Sequence, residues 1–449
     1  MSTLINFINL IVLRARMAID GVAALFQIGV AVLSATGDGL KAKAAAAFQE
    51  PRLQRIALRP LRAFLPNLVL SRQFIRAYPN TGTAIVTRYQ DVVEVLDRNA
   101  DFEVVYEPRM REITGGDNFF LGMQDTALYT RDVSNMRLAM RRDDVATIVA
   151  PLARSLAEQI LAKQSSRIDV PKDLSLPVPT AIVTDYFGIN NAQASDLVIW
   201  STLMFWYLFI DLAGDPALKR RVLDAAVACR SVIDAAIAAR KASGEVKDDV
   251  LGRCLVLQKA NLPGMDDLGI RNNLIGLVIG AIPTISKACV QALDQLLSRP
   301  EALASAQAAA RVGDDSLLAA HVFEAFRFNP INPMIYRRAA CHVKIAAGTL
   351  RARNIPKGNM VLAMNLSAMF DPLRIQAPES FRTNRPWDEY MLWGYGMHAC
   401  FGAYINRAVI PAILKPLLSK PGLRRAAGDA GRIDSGGTPF PQHLTIEWG

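Results

Sequence analysis

The sequence predicts a mainly α fold with small β-sheets at its edges. Three observations carry that reading. Long stretches of helical apolar spacing lie between glycine and proline breakers; short β-branched runs are confined to residues 83–88 and to the chain after Pro330; and no Gly/Ser linker or internal repeat divides the sequence. Of 449 residues 51% are hydrophobic and 20% charged, which excludes disorder, because such a chain can bury enough apolar surface to offset its ordering entropy.

The elements follow in order. Residues 1–36 are mostly apolar, but the uncharged run 21–36 has only sixteen residues. A spanning helix needs roughly 20, so this segment is expected to lie on a membrane surface or against the protein's own core. The apolar, basic stretch 61–72 would thicken the same patch. A strand is predicted over 83–88 and a helix over 90–98. Residues 107–120, with Pro108, Gly115 and Gly116, read as loop. One helix is predicted over 132–163, then a proline-punctuated segment, then helices over 192–210 and 215–241. After a mixed segment, 244–263, residues 269–298 form one long apolar helix interrupted only by Gly276, Gly280 and Pro283. A helix over 316–328 stops before Pro330, and Ile355-Pro356-Lys357-Gly358 predicts a hairpin before 360–364. The economical organisation is an apolar N-terminal segment, 1–50, followed by a single domain, 51–449.

Charge and cysteines narrow the function. Lys+Arg number 51 and Asp+Glu 41, a formal charge of +10. The arginines are spread among acids along helices without interleaved aromatics, which argues against nucleic acid as partner. Cys229, Cys254, Cys289, Cys341 and Cys400 are odd in number and scattered, with no C-x-x-C or Cys/His cluster. That excludes a disulfide framework and a zinc site, and it fits a reducing, cytoplasmic compartment.

Residues 393–402 read W-G-Y-G-M-H-A-C-F-G, and 403–418 follow with helical spacing. The glycines permit tight turns and close approach by a ligand, and they present Cys400 at a helix N-terminus, where backbone N–H groups and the helix dipole stabilise a thiolate. This segment resembles the haem-binding loop of the cytochromes P-450, F-G-x-G-x-H-x-C-x-G, with Trp393 in place of Phe. The resemblance covers roughly residue 83 to the C-terminus and implies the cytochrome P-450 fold of the all-α class with haem b (iron protoporphyrin IX) as cofactor. It implies that Cys400 ligates the iron, that His398 hydrogen-bonds a haem propionate, that Trp393 and Gly394 belong to the same seat, and that Gly402 lets the loop pass close to the porphyrin. Glu324-Ala-Phe-Arg327 matches the family's structural E-x-x-R, with Arg382 or Arg385 as third partner. Arg337 stands where the family places a propionate-binding arginine; Tyr390 stands where many bacterial members carry a second propionate-binding histidine; and Arg137 or Arg141 would supply a further basic group.

The long helix departs from the family. Where the resemblance leads one to expect A/G-G-x-D/E-T, this chain has Gly280-Ala281-Ile282-Pro283-Thr284. Thr284 keeps a hydroxyl that can donate a proton or position a water, but Pro283 cannot carry a proton, and its missing N–H is expected to bend the helix. Two enzymatic readings follow: a monooxygenase hydroxylating or epoxidising a lipophilic substrate such as a fatty acid or terpenoid, or a peroxygenase or lipid-hydroperoxide isomerase or lyase that receives oxygen already reduced. A haem sensor or carrier without turnover is the alternative of another class. Phe119, Phe120, Gly280, Ala281 and the run 204–209 are candidate pocket residues. Arg407, Lys415 and Lys420 are candidates for a basic face receiving an acidic ferredoxin or flavoprotein reductase. The N-terminal segment adds an expected peripheral membrane contact.

Overall fold

The computed structural model describes residues 2–47 and 50–449, so three residues of the predicted N-terminal segment, 1, 48 and 49, lie outside the described residues. The fold is 58% helical with small sheets. It resolves into two compact units that interleave along the sequence. One takes in the described residues up to Ile75, Pro79–Glu103 and Phe326–Ala399, and the other Arg76–Tyr78, Val104–Ala325 and Cys400–Gly449.

The first unit is built on a five-stranded sheet in the order Asn67–Leu70, Thr83–Val86, Met360–Ala363, Ile335–Ala339, Phe102–Glu103. Thr83–Val86 runs parallel to Met360–Ala363, and the other pairings are antiparallel. Met360–Ala363 is buried at all four positions, as a continuous apolar strand at the centre of a sheet should be. The register sets Arg337 opposite Val361, which seats its 3% exposed side chain in the middle of this sheet. The predicted hairpin at 355–358 is corrected here. The turn exists, but Arg353–Ile355 pairs with Val343–Ile345 while Met360–Ala363 enters the main sheet, so the two flanking strands serve different sheets.

In the same unit the N-terminal helix, Ser2–Ser34, packs lengthwise on helix Pro51–Phe64. Ala24, Val32, Leu53 and Ile56 form the buried seam, edged by Ile28 and Ala31. Gly21 makes this possible, since a Cβ there would stand 2.8 Å from the Phe64 ring. The opposite face remains bare: Ile19 is 67% exposed, Val22 61%, Phe26 76% and Leu33 69%. The apolar helical span, Asn9–Ser34, is longer than the uncharged run and is long and apolar enough to cross a membrane, as are Val145–Ala162 and Asp267–Leu297, the last 89% buried within the protein.

The second unit wraps helices around the central helix Asp267–Leu297, capped by Asp266, whose carboxylate accepts from the Gly269 N–H at 2.7 Å. Ala194–Phe205, Pro216–Ser243 and Ala403–Leu418 pack on it. Pro283 does not interrupt its helical pattern. The predicted loop 107–120 contains helix Glu107–Thr114; Pro108 sits in its first turn and Gly115, at φ +85°, closes it, so residues that read as breakers are its boundaries. The helix predicted over 132–163 is two, Ala127–Ala139 and Ala150–Ala162. The interruption is held by side chains from elsewhere: the Tyr404 hydroxyl donates to Met140 O at 2.8 Å, and Arg253 donates to Ala139 O at 3.0 Å and pairs with Asp144. Helices Val250–Lys259 and Pro300–Val312 also form without having been predicted.

Candidate functional site

In the second unit, Cys400 precedes helix Ala403–Leu418 directly. Burial pushes its thiol above the ordinary value, opposed by the Gly402 N–H, the Arg137 charge and the Ala403 N–H. The N–H groups at the start of this helix thus face the sulfur and favour its anion, the arrangement that prepares a thiolate ligand. Arg137 is the arginine that reaches this loop. It donates to Phe401 O at 2.9 Å and lies 3.8 Å above the Phe401 ring, while Arg141 is exposed and stands 4.0 Å from Asp248. Gly402 has ordinary backbone geometry, and a Cβ there would meet only the Asn406 amide at 3.9 Å and the Cys400 sulfur at 4.0 Å. The protein itself leaves that space open, which suits a flat ligand crossing the sulfur.

The central helix offers a second opening. Gly280 is exposed although its neighbours Val278 and Ile279 are buried, a Cβ on it would meet nothing within 4 Å, and Ala281 is half-buried. Thr284, 7% exposed, lies one turn on; its hydroxyl donates back to Gly280 O and lies 3.3 Å from Ala281 O. Phe119 and Phe120 are packed among protein atoms. A Cβ on Gly276 would stand 2.5 Å from the Phe119 ring, and Phe120 lies 5.0 Å from the Phe401 ring. Along 204–209, Phe205 contacts Phe209 at 4.6 Å and Phe440 at 5.6 Å. Lys415, a candidate for a free basic face, is paired with Asp315 at 2.6 Å, while Arg407 is exposed and Lys420 lies 5.5 Å from the Trp448 ring.

In the first unit, His398 and Arg337 share one neighbourhood. Burial, with the Arg337 charge assisting, pushes the imidazole down to about 4. A neutral imidazole that can still donate an N–H, beside the Arg337 guanidinium, suits a carboxylate brought by a ligand, as haem propionates are. Gly394, at φ +80°, turns the chain, and Trp393 stacks on Trp387 at 5.4 Å, which in turn contacts Tyr390 at 5.2 Å. The large indole in place of Phe is therefore accommodated by aromatic packing. Arg327 is fully buried and donates to Met369 O at 3.0 Å and Pro378 O at 2.8 Å. Between the two candidate partners, Arg385 is the buried one; it donates to Ala377 O and to Ser380 O at 2.8 Å and pairs with Glu389 at 3.1 Å. Arg382 is more open and bonds Gln376 and Asn384. Glu324, 0% exposed and part of the second unit, precedes Arg327 on helix Asp315–Phe328.

One residue escaped the sequence reading. Lys287 is the single charge between Arg271 and Asp294 on an otherwise apolar helix, a signal that was present in the sequence. Among the described residues no group of three or more His, Cys, Asp or Glu side chains could hold a bare metal ion. Within the second unit a cysteine at a helix N-terminus and glycines leaving open space, and within the first unit Arg337 beside His398, are the residue types that suit a cofactor bringing its own ring and carboxylates.

Comparison with known proteins agrees. The family described as Cytochrome P450 matches residues 75–420. A steroid C26-monooxygenase from Mycolicibacterium smegmatis is 24% identical over 361 residues, covering 78% of this chain and 83% of that protein. A bifunctional dioxygenase-epoxy alcohol synthase from Fusarium oxysporum is 24% identical over 421 residues, 84% of this chain, which spans about a third (32%) of that relative's length. The solved structure of cytochrome P450 TbtJ1 superposes with TM-score 0.72 at 21% identity, over 89% of this chain and 98% of that one. On the family match over residues 75–420 and the shared fold, the chain belongs to the cytochrome P450 family of haem-thiolate oxidoreductases.

Proposed function

We propose that residues 51–449 hold one haem b and act as a monooxygenase on a lipophilic substrate such as a fatty acid or terpenoid. The observation that carries this reading is the face of the central helix, where Gly280 leaves open space beside half-buried Ala281 and Thr284 bonds its hydroxyl back to Gly280 O. The bound haem supplies oxygen activation and oxygen-atom transfer. Cys400 would hold the iron, with the Gly402 and Ala403 N–H groups favouring its thiolate, and Arg337 and His398 would bind propionate. Thr284 would hold a proton or a water over the open face, exchanging its bond to Gly280 O for one to the incoming group. The chain has no C-x-x-C-H signature, which supports a haem held without covalent attachment.

A second reading rests on Pro283, which removes the acid that would feed protons to Thr284. In it the enzyme is a peroxygenase or a hydroperoxide isomerase or lyase, and the name of the fungal epoxy alcohol synthase relative is compatible with it. The deciding experiment compares NADPH with ferredoxin and reductase against hydrogen peroxide or a lipid hydroperoxide as oxidant. Turnover with the reductase system supports the monooxygenase. Turnover with peroxide alone, indifferent to Thr284→Ala, replaces it with the second reading. Haem binding with no product under either oxidant leaves a sensor or carrier.

Arg407 and Lys420 are proposed to receive an acidic electron donor, with Lys415 contributing less because Asp315 already neutralises it. The bare face of helix Ser2–Ser34 is proposed to lie along a lipid surface. Its other face is occupied by Pro51–Phe64, so lying in the surface preserves a packing that spanning would strip away. Flotation with liposomes, lost in Val22→Glu/Phe26→Glu, tests this, and flotation unchanged by the two charges would overturn it.

A further inference from the structure

Lys287 stands on the central helix one turn after Pro283 and two turns after Gly280. Residues four and seven apart share a helix face, and helical side chains lean toward the N-terminus, so the lysine stem is directed along the stripe that holds the compact ring of Pro283 and the bare Cα of Gly280. The residue keeps some accessible surface although protein surrounds its ammonium. Its ammonium lies 5.4 Å from the centre of the Phe440 ring. Phe440 packs on Phe205, Phe205 on Phe209, and Phe209 on Tyr106 at 4.8 Å, so the wall beside the ammonium is aromatic.

No carboxylate, hydrogen bond or other charge of the described protein acts on this ammonium; the single influence on it is burial, which pushes it down to about 8. Buried ionic groups are ordinarily paired, since an isolated charge away from water is costly, and a cation–π contact offsets only part of that cost. Every other strongly buried cation named above has oxygen acceptors: Arg327, Arg337, Arg385 and Arg253 each bond carbonyls or carboxylates. The anion missing at Lys287 is one the protein does not provide.

We propose that Lys287 is the anion-binding end of the substrate site, taking the carboxylate of a long-chain carboxylic acid whose hydrocarbon runs along the Phe440–Phe205–Phe209 wall. This rests on the lipophilic-substrate reading and narrows it: among apolar molecules, those with one terminal carboxylate are selected over their neutral esters and alcohols.

The test uses the haem-loaded full chain and needs no turnover. Palmitate, methyl palmitate and hexadecanol are titrated, and dissociation constants are read by calorimetry and by the Soret shift. Wild type should bind palmitate on the order of tenfold more tightly than the ester, a preference lost in Lys287→Met and kept in Lys287→Arg. Equal affinity of wild type for acid and ester overturns the assignment and leaves the lipophilic reading standing. Binding of none of the three overturns both. A palmitate preference that survives in Lys287→Met also overturns it, and because the acid-to-ester ratio is measured first on wild type, a variant that fails to fold does not remove the test.

Discussion

Gly276 and Gly280 lie one turn apart on the same helix, yet alanine should have opposite effects at the two sites. At Gly276 the new Cβ would stand 2.5 Å from the Phe119 ring, which is 1% exposed and edge-packed on Phe120 at 6.1 Å, so the ring has nowhere to swing. Overpacking of this kind costs about 1–3 kcal/mol, set against a helix-propensity gain of about 1 kcal/mol. Gly276→Ala should therefore lie between unchanged and about 2 kcal/mol less stable. At Gly280 the Cβ meets nothing within 4 Å, the propensity gain is unopposed, and the variant should be more stable by up to about 1 kcal/mol. Urea denaturation followed by tryptophan fluorescence would read the difference of about 1–3 kcal/mol as separated midpoints at equal slope. Ligand titration should then show Gly280→Ala, the more stable protein, to be the weaker substrate binder, because its methyl occupies the open space. Equal destabilisation by both substitutions would refute the reasoning, since it would mean that protein atoms already fill the space at Gly280.

Three further outcomes are expected. Cys400→Ser should lose the red-shifted Soret band of the reduced carbon monoxide complex, and persistence of that band would remove Cys400 as ligand. Asp144→Asn should destabilise by about 3 kcal/mol, the lower end for breaking a buried pair, because Arg253 keeps Asp248 at 2.6 Å. Burial favours the protonated Asp144, but hydrogen bonds from Arg253 and from Tyr186 at 2.7 Å outweigh it and hold the carboxyl below its ordinary value. That contribution is full above a pH of about 4 and is lost as pH falls through the lowered value, so Asp144→Asn should flatten the acid limb of the stability profile, measured by urea melts across pH. Arg407→Glu should slow electron transfer from an acidic ferredoxin and weaken its salt dependence, whereas Lys415→Ala should change either little; stopped-flow reduction at varied ionic strength would reverse this if Lys415 dominates.

The mainly α class, the long helix and the helix beginning after Cys400 were legible because they rest on local patterns: apolar spacing at helical period, and glycines clustered before a helical run. The residue types needed for a thiolate, a hydroxyl and cationic groups were legible for the same reason. Proline and glycine were also visible in 107–116, but there they bound a helix, and local reading does not separate a boundary from a breaker.

What tertiary structure alone decided is where long-range partners meet. The sequence offered Arg137 or Arg141 and Arg382 or Arg385 as equals, and it specified neither pair, because residues four or three apart differ in what they face only once neighbouring elements are in place; packing put Arg137 on Phe401 and Arg385 among buried carbonyls. The turn at 355–358 was local, while its flanking strands were claimed by Thr83–Val86 and Ile335–Ala339 in one sheet and by Val343–Ile345 in the other. Lys287 shows the limit most plainly. A lone charge on an apolar helix is a fact of sequence, but that no counter-charge comes to it, and that Phe440 from the end of the chain lies beside it, are facts of assembly. Charge and periodicity are local properties, whereas pairing and exclusion from water belong to the folded whole.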